Sequence, residues 1–278
     1  MAASEQRSQG SLGLFGSLAE IGHTAEDDIL TWSHGLAFHY SNLLEGLSSV
    51  EEDTKEKILK DIWIHVEEKA PEAIKEKIGL TEPIDIEKVG DTLSQILEDS
   101  EHPAIRGSGK DVNESLLNWV RLFALLDFNI YLRLENHLGT KDGFPLYMGL
   151  WETFALSGLD EVKKAVGISG PDDVDMDKLG ELSKIYWELI ACPYKVTRHD
   201  ENVHEAEILC CPYWYSMREI LGEETARSMT LKCEAPVSTN YYEAILKALG
   251  VFDRYSFTMD KFLCCGDDVC RVRFTKRS

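Results

Sequence analysis

The sequence predicts an α+β fold, in which a helical N-terminal half packs on a C-terminal antiparallel sheet flanked by helices. Up to about residue 185, apolar residues recur every three or four positions, a pattern typical of amphipathic helices. The first such stripe consists of Ile29, Trp32, Leu36, Tyr40, Leu43 and Leu47. From Tyr186 onward, segments such as VHEAEIL and VCRVRF alternate apolar and polar residues, as strands do. A run of helices followed by a run of strands favours α+β over alternating α/β.

The helical half carries recognisable helix ends. Thr24, with Asp27 three residues later, predicts an N-cap followed by an acidic first turn. The strongest helix is predicted to be capped by Asn113 and ended by Gly139. Because it is apolar around most of its circumference, we expect it to be the central buried helix. Further helices are predicted over residues 50–69, 71–78, 85–99, 145–166 and 175–186, with a loop over residues 100–111.

The C-terminal part mixes strands with two helices. Pro212 suits the first position of a helix over residues 212–221, which Gly222 ends. The segment SMTLKCE, residues 228–234, is predicted to be a strand. A second helix is predicted to start at Ser238 or Thr239 and to end at Ala248, and two strands joined through the turn sequence CGDD close the chain.

Composition limits the classes of partner. The net charge is −20, and the acidic excess is concentrated in residues 1–185. Nucleic acids and anionic membranes bind clusters of Lys and Arg, so we predict neither as a partner. The most hydrophobic run, residues 115–134, contains Arg121, Asp127 and Arg133, which argues against a membrane span.

The predicted organisation is a disordered lead-in over residues 1–22, a helical region over 23–185 and a cysteine-rich α+β domain over 186–278. The N-terminus lacks a basic region followed by a continuous apolar run, so no secretory signal is predicted. The seven cysteines include two adjacent pairs, which do not suit a disulfide framework. We therefore predict a cytoplasmic protein with reduced thiols.

Cys211 is the candidate reactive thiol. It directly precedes Pro212 at the start of a predicted helix, where the positive end of the helix dipole favours a thiolate. Strand alternation places Cys270 on the apolar face and Cys233 at the end of a predicted strand. The alternative is that all the cysteines are small buried hydrophobic residues, since free cysteine is among the most buried residue types.

Zinc binding is an alternative role for the same thiols. No Cys-x-x-Cys pair occurs, so the common zinc modules do not fit. A site assembled in space from Cys211, Cys233 and Cys270 would take His199 or His204 as its fourth ligand. The sequence itself requires no cofactor, and zinc and manganese are the metals that such a site suggests.

The order of these elements resembles the L-2-amino-thiazoline-4-carboxylic acid hydrolase family. The resemblance covers residues 186–276 and rests on short motifs: Cys211-Pro212, Gly222, Cys233, Gly266 and the closing Cys270-Arg271-Val272-Arg273-Phe274. The C-terminal half also looks like the 4-vinyl reductase domain group, which holds small apolar ligands.

The first resemblance implies a hydrolase that opens a cyclic C–N bond in a small sulfur heterocycle carrying a carboxylate. Such chemistry uses either a thiolate that attacks the C=N carbon or an activated water. Cys211 would be the nucleophile, Cys233 and Cys270 would line the pocket, and three residues would move protons: His204, Glu205 and Glu207. Arg218 and Lys232 are the nearest cations in sequence for the substrate carboxylate.

Two other functions stay open at the level of sequence. A non-catalytic binding module, as in the 4-vinyl reductase group, would hold an apolar small molecule between the long helix and the sheet. A zinc-stabilised accessory protein is the second alternative. In each case a small-molecule ligand or substrate is the expected partner, and assembly into an oligomer is left open.

Overall fold

Caps and apolar stripes place most of the helices where the sequence predicts them. The computed structural model describes residues 24–190, 192–232 and 234–277, so the predicted lead-in and Cys233 lie outside the described residues. The N-terminal helices are α1 (Ala25–Gly46), α2 (Glu52–Glu67), α3 (Glu72–Ile78), α4 (Ile86–Glu98), α5 (Val112–Leu138), α6 (Thr140–Leu156), α7 (Leu159–Val166) and α8 (Met176–Leu189). The later elements are β1 (Tyr194–Asp200), β2 (Val203–Ile208), α9 (Pro212–Leu221), α10 (Glu223–Lys232), α11 (Glu234–Ala248), β3 (Tyr255–Lys261) and β4 (Cys270–Lys276).

The described chain divides into two compact units. The helical unit consists of residues 24–150 and 215–221, and the sheet unit of residues 151–214 and 222–277. All described strands lie within the range predicted as the cysteine-rich domain, and the sheet unit also takes in the helices from residue 151 onward. None of the helices in the described residues is long and apolar enough to cross a membrane.

In the helical unit, α1 and α2 pack against the long helix α5. Thr24 and Asp27 form the predicted capping box at the start of α1. The apolar stripe of α1 is buried, and Tyr40 meets Trp63 of α2 edge to face at 5.2 Å between ring centroids. Helix α5 is buried along most of its length, which confirms that it forms the centre of this unit.

Several helix limits differ from the prediction, among them the starts of α6 at Thr140 and of α11 at Glu234. Asp111, not Asn113, caps α5, because its carboxylate accepts the N–H of Glu114 at 2.8 Å. The single helix predicted over residues 145–166 is instead divided into α6 and α7. Gly158, between them, has a φ of 73°, a left-handed conformation that glycine adopts without steric cost and that a continuous helix does not contain.

The sheet is antiparallel with strand order β1-β2-β4-β3, and helices pack on it, as the predicted α+β class requires. Helix α8 lies against β2 and β4, and α11 lies against β3. Within the inner layer, the Tyr242 ring of α11 stacks on Phe257 at 4.2 Å, and its hydroxyl accepts the indole N–H of Trp187 at 2.8 Å.

The strand predicted over residues 228–234 is wrong. Residues 223–232 form α10, which begins with Glu223 and Glu224 directly after Gly222. Acidic residues in a first turn and good helix formers such as Ala226 outweigh a short alternation of two apolar residues. Helix α8 likewise continues to Leu189, so the alternation that begins at Tyr186 belongs to a helix and the first strand starts only at Tyr194.

Candidate active site

Strand pairing brings several thiols together at one end of the sheet. Tyr194 of β1 pairs with Ile208 of β2, and the N–H of Leu209 donates to the carbonyl of Pro193 at 2.8 Å, which continues the ladder by one residue. Cys192 therefore lies opposite Cys210, next to Cys211. On the other side of β2, Ile208 pairs with Cys270 of β4. Cysteines far apart in sequence thus converge on one end of β2.

Cys211 occupies the N-cap position of α9, which begins at Pro212. The N–H of Trp214 donates to the Cys211 sulfur at 3.5 Å, and the N–H of Tyr213 also donates to it. The first N–H groups of a helix have no partner within the helix, so they are available to an acceptor at this position. The predicted placement of Cys211 at a helix start is confirmed.

Cys192 and Cys211, here called the thiol pair, are hydrogen bonded to each other. This bond is the main reason that the pKa of Cys211 is lowered, and the two helix N–H groups lower it further against the opposing effect of burial. The same bond, together with burial, raises the pKa of Cys192 well above its ordinary value. Cys192 therefore keeps its proton and donates it to a Cys211 thiolate.

Cys210 and Cys270 lie close enough to Cys192 that their charges would raise its pKa. The six cysteines among the described residues form no disulfide with one another. Cys270 is buried, and its sulfur accepts the N–H of Leu263 at 3.2 Å. Its inward position beside Val272 and Phe274, with Arg271 and Arg273 on the other face, agrees with the predicted alternation.

The predicted proton-moving residues do not gather around Cys211. His204 lies on the buried face of β2, whereas Glu205 and Glu207 lie on the opposite face. Arg273 donates two hydrogen bonds to Glu205, one of them from Nε at 2.7 Å, and Thr197 donates another at 2.9 Å. Burial raises the pKa of Glu205, but the bonds from Arg273 and Thr197 outweigh burial and lower it overall.

His204 instead belongs to a chain of three side chains at the other end of β2. Its Nδ1 lies 3.0 Å from Nδ1 of His199, whose Nε2 lies 2.8 Å from the Asp177 carboxylate. Burial, with the charge of His199, lowers the pKa of His204 to about 4. His204 is therefore neutral near pH 7, and its Nε2 is buried without a hydrogen-bond partner.

The register also separates His199 from the thiols. His199 pairs with His204, which pairs with Phe274, four residues along β4 from Cys270. At a rise of about 3.3 Å per residue this spacing amounts to roughly 13 Å, too far for one metal ion to bind both side chains. No three His, Cys, Asp or Glu side chains in the described part of the chain form a group that could hold a metal ion.

Of the three remaining predicted pocket residues, Arg218 is the one whose side chain the structure describes. The guanidinium of Arg218 lies over the ring of Tyr215 at 5.6 Å, about two turns along α9 from Cys211. Lys232 is the last residue of α10, and Cys233 follows it outside the described residues. The roles predicted for Lys232 and Cys233 therefore stay predictions.

Sequence reasoning gave Cys192 no role, although a signal for it exists. The β1–β2 hairpin turns at Glu201 and Asn202, and counting outward from that turn without interruption places Cys192 opposite Cys211, one residue from its observed position opposite Cys210. The register shift between Val196 and Arg198 alters this count by one residue, so the alignment of the thiols depends on an irregularity that alternation alone does not show.

A second buried polar group lies in the helical unit. Asp127 of α5, His39 of α1 and Tyr147 of α6 are all buried, and both the His39 ring nitrogen Nε2 and the Tyr147 hydroxyl lie 2.8 Å from Asp127 carboxylate oxygens. The sequence identified Asp127 only as an interruption in an apolar run. Since a buried charge is stable only when it is paired, the partners of Asp127 account for its presence in this core.

Comparison with known proteins adds no relative: no family model, curated protein or solved structure was found to match the chain. The functional argument therefore rests on the geometry of the thiol pair.

Proposed function

We propose that this protein is a cysteine-dependent hydrolase with Cys211 as its nucleophile. The observation that supports the proposal is the thiol pair, in which Cys211 receives hydrogen bonds from Cys192 and from the first N–H groups of α9. These donors stabilise the thiolate, which is the nucleophilic form of cysteine. The half-buried position of Cys211 leaves part of the residue accessible to solvent.

The proposed substrate is a small sulfur heterocycle that carries a carboxylate and a cyclic C=N bond, as in 2-amino-thiazoline-4-carboxylate. The Cys211 thiolate adds to the C=N carbon, and the electron pair of the double bond moves to the ring nitrogen, which takes a proton. The C–N bond then breaks, and the nitrogen leaves as an amine after taking a second proton. Water adds to the same carbon and expels Cys211, so the product has gained one water molecule.

Cys192 is a proton donor that is hydrogen bonded to the attacking sulfur. Its raised pKa keeps it protonated, so its S–H donates a hydrogen bond to the Cys211 thiolate until that thiolate attacks the substrate. Acid–base roles for His204, Glu205 and Glu207 stay predictions, because β2 directs the two glutamates to the opposite face and places His204 near its far end. In the proposed mechanism Cys192 replaces them as the group that controls protonation of the nucleophile.

The test is turnover of 2-amino-thiazoline-4-carboxylate, followed by mass spectrometry of the ring-opened product. Cys211→Ala should lower turnover by about a thousandfold or more, because it removes the nucleophile. Cys265→Ser, which alters a half-buried thiol outside the thiol pair, is the matched control and should retain wild-type turnover. Wild-type turnover by Cys211→Ala would refute the proposal.

The pH profile separates the role of Cys192 from a purely structural one. Removing its S–H raises the pKa of Cys211, so the activity of Cys192→Ala should begin at a higher pH than that of the wild type. Cys192→Ser retains a hydrogen-bond donor and should shift the profile less. If both variants keep the wild-type profile, Cys192 does not set the state of the nucleophile.

The binding-module alternative predicts a different outcome. Trp187, Tyr242, Phe257 and Phe274 form a continuous aromatic layer beneath the sheet, which suits an apolar ligand as well as a core. A protein of that kind would turn over no thiazoline, and none of its cysteines would react rapidly near neutral pH.

A further inference from the structure

We infer that the thiol pair is also a site of reversible oxidative modification, in which Cys211 is oxidised first and Cys192 resolves it into an intramolecular disulfide. The inference goes beyond the proposed hydrolysis, since it requires the two thiols and no turnover. It rests on three features of the described residues: the hydrogen bond between the two thiols, their position just beyond the paired ends of β1 and β2, and the N–H donors at the Cys211 sulfur.

The backbone arrangement is suited to a disulfide. Directly opposed residues in an antiparallel ladder have Cα atoms about 4.5–5.5 Å apart, and disulfides span Cα separations of about 4.4–6.8 Å. Cys192 lies opposite Cys210, which directly precedes Cys211, and its thiol is hydrogen bonded to Cys211. The pairing of β1 with β2 therefore brings the backbone at Cys192 close to the segment that contains Cys211.

The two sulfurs have unequal roles. Cys211, as the thiolate, is the sulfur that a two-electron oxidant such as hydrogen peroxide attacks first. Cys192 is buried and protonated, so an oxidant in solution reaches it less readily, but it is already in contact with the sulfur that becomes oxidised. A low-pKa thiol beside a resolving cysteine is the usual arrangement of a redox-sensitive site.

The steps balance with peroxide as the oxidant. The Cys211 thiolate attacks one peroxide oxygen, the O–O bond breaks, and the departing hydroxide takes a proton to become water, which leaves Cys211 as a sulfenic acid. Cys192 then loses its proton and attacks the Cys211 sulfur; the S–S bond forms, the S–O bond breaks, and a second water leaves. A dithiol reductant reverses the change by thiol–disulfide exchange and is itself oxidised to a disulfide.

Closure of the disulfide would change the site in two ways. It consumes the nucleophile, and it replaces the thiolate that accepts the N–H groups of Tyr213 and Trp214 at the start of α9. Hydrolase activity, where present, should therefore be lost on oxidation and return on reduction.

The test is peptide mapping of the full chain after treatment with hydrogen peroxide, alkylation of the remaining thiols and digestion without reductant. We expect a peptide that links Cys192 to Cys211 and disappears after dithiothreitol. In Cys192→Ser we expect no such peptide and a Cys211 sulfenic acid that a dione probe traps. Cys265→Ser should give the wild-type linkage.

Two outcomes would overturn the inference: linkage of Cys211 mainly to a cysteine other than Cys192, or a Cys211 that stays fully alkylatable after peroxide. The wild-type map decides the question even if Cys192→Ser fails to fold. Linkage without thiazoline turnover would refute the proposed hydrolase alone. Turnover that depends on Cys211 but without linkage would refute this inference alone.

Discussion

At the scale of single residues, two neighbouring thiols differ in chemistry because their surroundings differ. Cys211 lies at a helix start with donors directed at its sulfur, whereas Cys192 is buried and has Cys211 as its acceptor. One interaction lowers the pKa of Cys211 and raises that of Cys192, so Cys211 is the first of the two thiols to lose its proton as the pH rises. The Cys-Pro sequence predicted that Cys211 lies at a helix start. The sequence did not predict that the β1–β2 hairpin brings Cys192 beside it.

The lowered pKa of His204 predicts how the stability of the folded protein depends on pH. Its pKa is about 4 in the folded protein against an ordinary 6.5, so between these values the unfolded chain binds more protons than the folded one. Stability from this residue is therefore complete above pH 6.5 and is lost as the pH falls towards 4. The charged or titratable groups that face His204 along this chain of contacts are His199 and, beyond it, Asp177.

His204→Phe should flatten the stability profile over this range. The replacement keeps an aromatic ring beside Trp187 but removes the titrating group, so the slope should fall by at most about 1.4 kcal/mol per pH unit. Urea denaturation between pH 4 and 7 measures it. An unchanged slope in His204→Phe would contradict the account.

At the scale of elements, local signals predicted helices better than strands. The capping box of Thr24 and Asp27, the stripe of α1 and the Pro212–Gly222 helix were predicted correctly because each signal acts within a few residues. The strand predicted over residues 228–234 failed because two alternating apolar residues are too few to outweigh helix-forming neighbours. Alternation also gave the inward position of Cys270, but not the register that aligns Cys192 with Cys210.

The close contact between α8 and β2 predicts that a larger side chain on α8 destabilises the protein. A Cβ at Gly180 of α8 would lie 3.0 Å from Nδ1 of His204, whose ring is also held by His199 and Trp187. Gly180→Ala should therefore lower the free energy of unfolding by about 1–3 kcal/mol through overpacking.

The matched control is Gly90→Ala on α4, where the added methyl would meet only Tyr40 at 3.7 Å. Alanine is a better helix former than glycine, so this change should raise stability by about 0.5–1 kcal/mol. Denaturant titration measures both variants. Equal effects of the two substitutions would show that α8 does not pack closely on His204.

At the scale of the whole molecule, the acidic residues and the cysteines are concentrated in different parts of the chain. The acidic excess predicted for residues 1–185 falls largely on the helices that precede β1, while the cysteines cluster in the sheet unit. The fold class was predictable because helical and alternating segments occupy different parts of the sequence. The composition of the site was not, because it depends on which thiols the antiparallel pairing of β1, β2 and β4 brings together.

The helical unit contains two polar features that play no part in the chemistry proposed for the thiol pair. The Asp127 network lies in its core, and a recess of 410 Å³ is lined by Lys69, Pro71, Arg121, Glu219 and Ile220. Arg121 and Glu219 form an ion pair in that recess, with their closest atoms 2.6 Å apart. None of the residues predicted for the site lies there, so the sheet unit carries the functional proposal.

The central claim is that Cys211 loses its proton at a lower pH than an ordinary thiol, whereas Cys192 loses its proton at a higher pH. The most direct measurement is the rate at which iodoacetamide alkylates each cysteine of the native chain, followed by mass spectrometry across the pH range. The account predicts that Cys211 reacts fastest and that its rate levels off at a lower pH than an ordinary thiol, with Cys192 the slowest. A Cys211 that reacts no faster than Cys265 over the whole range would contradict it.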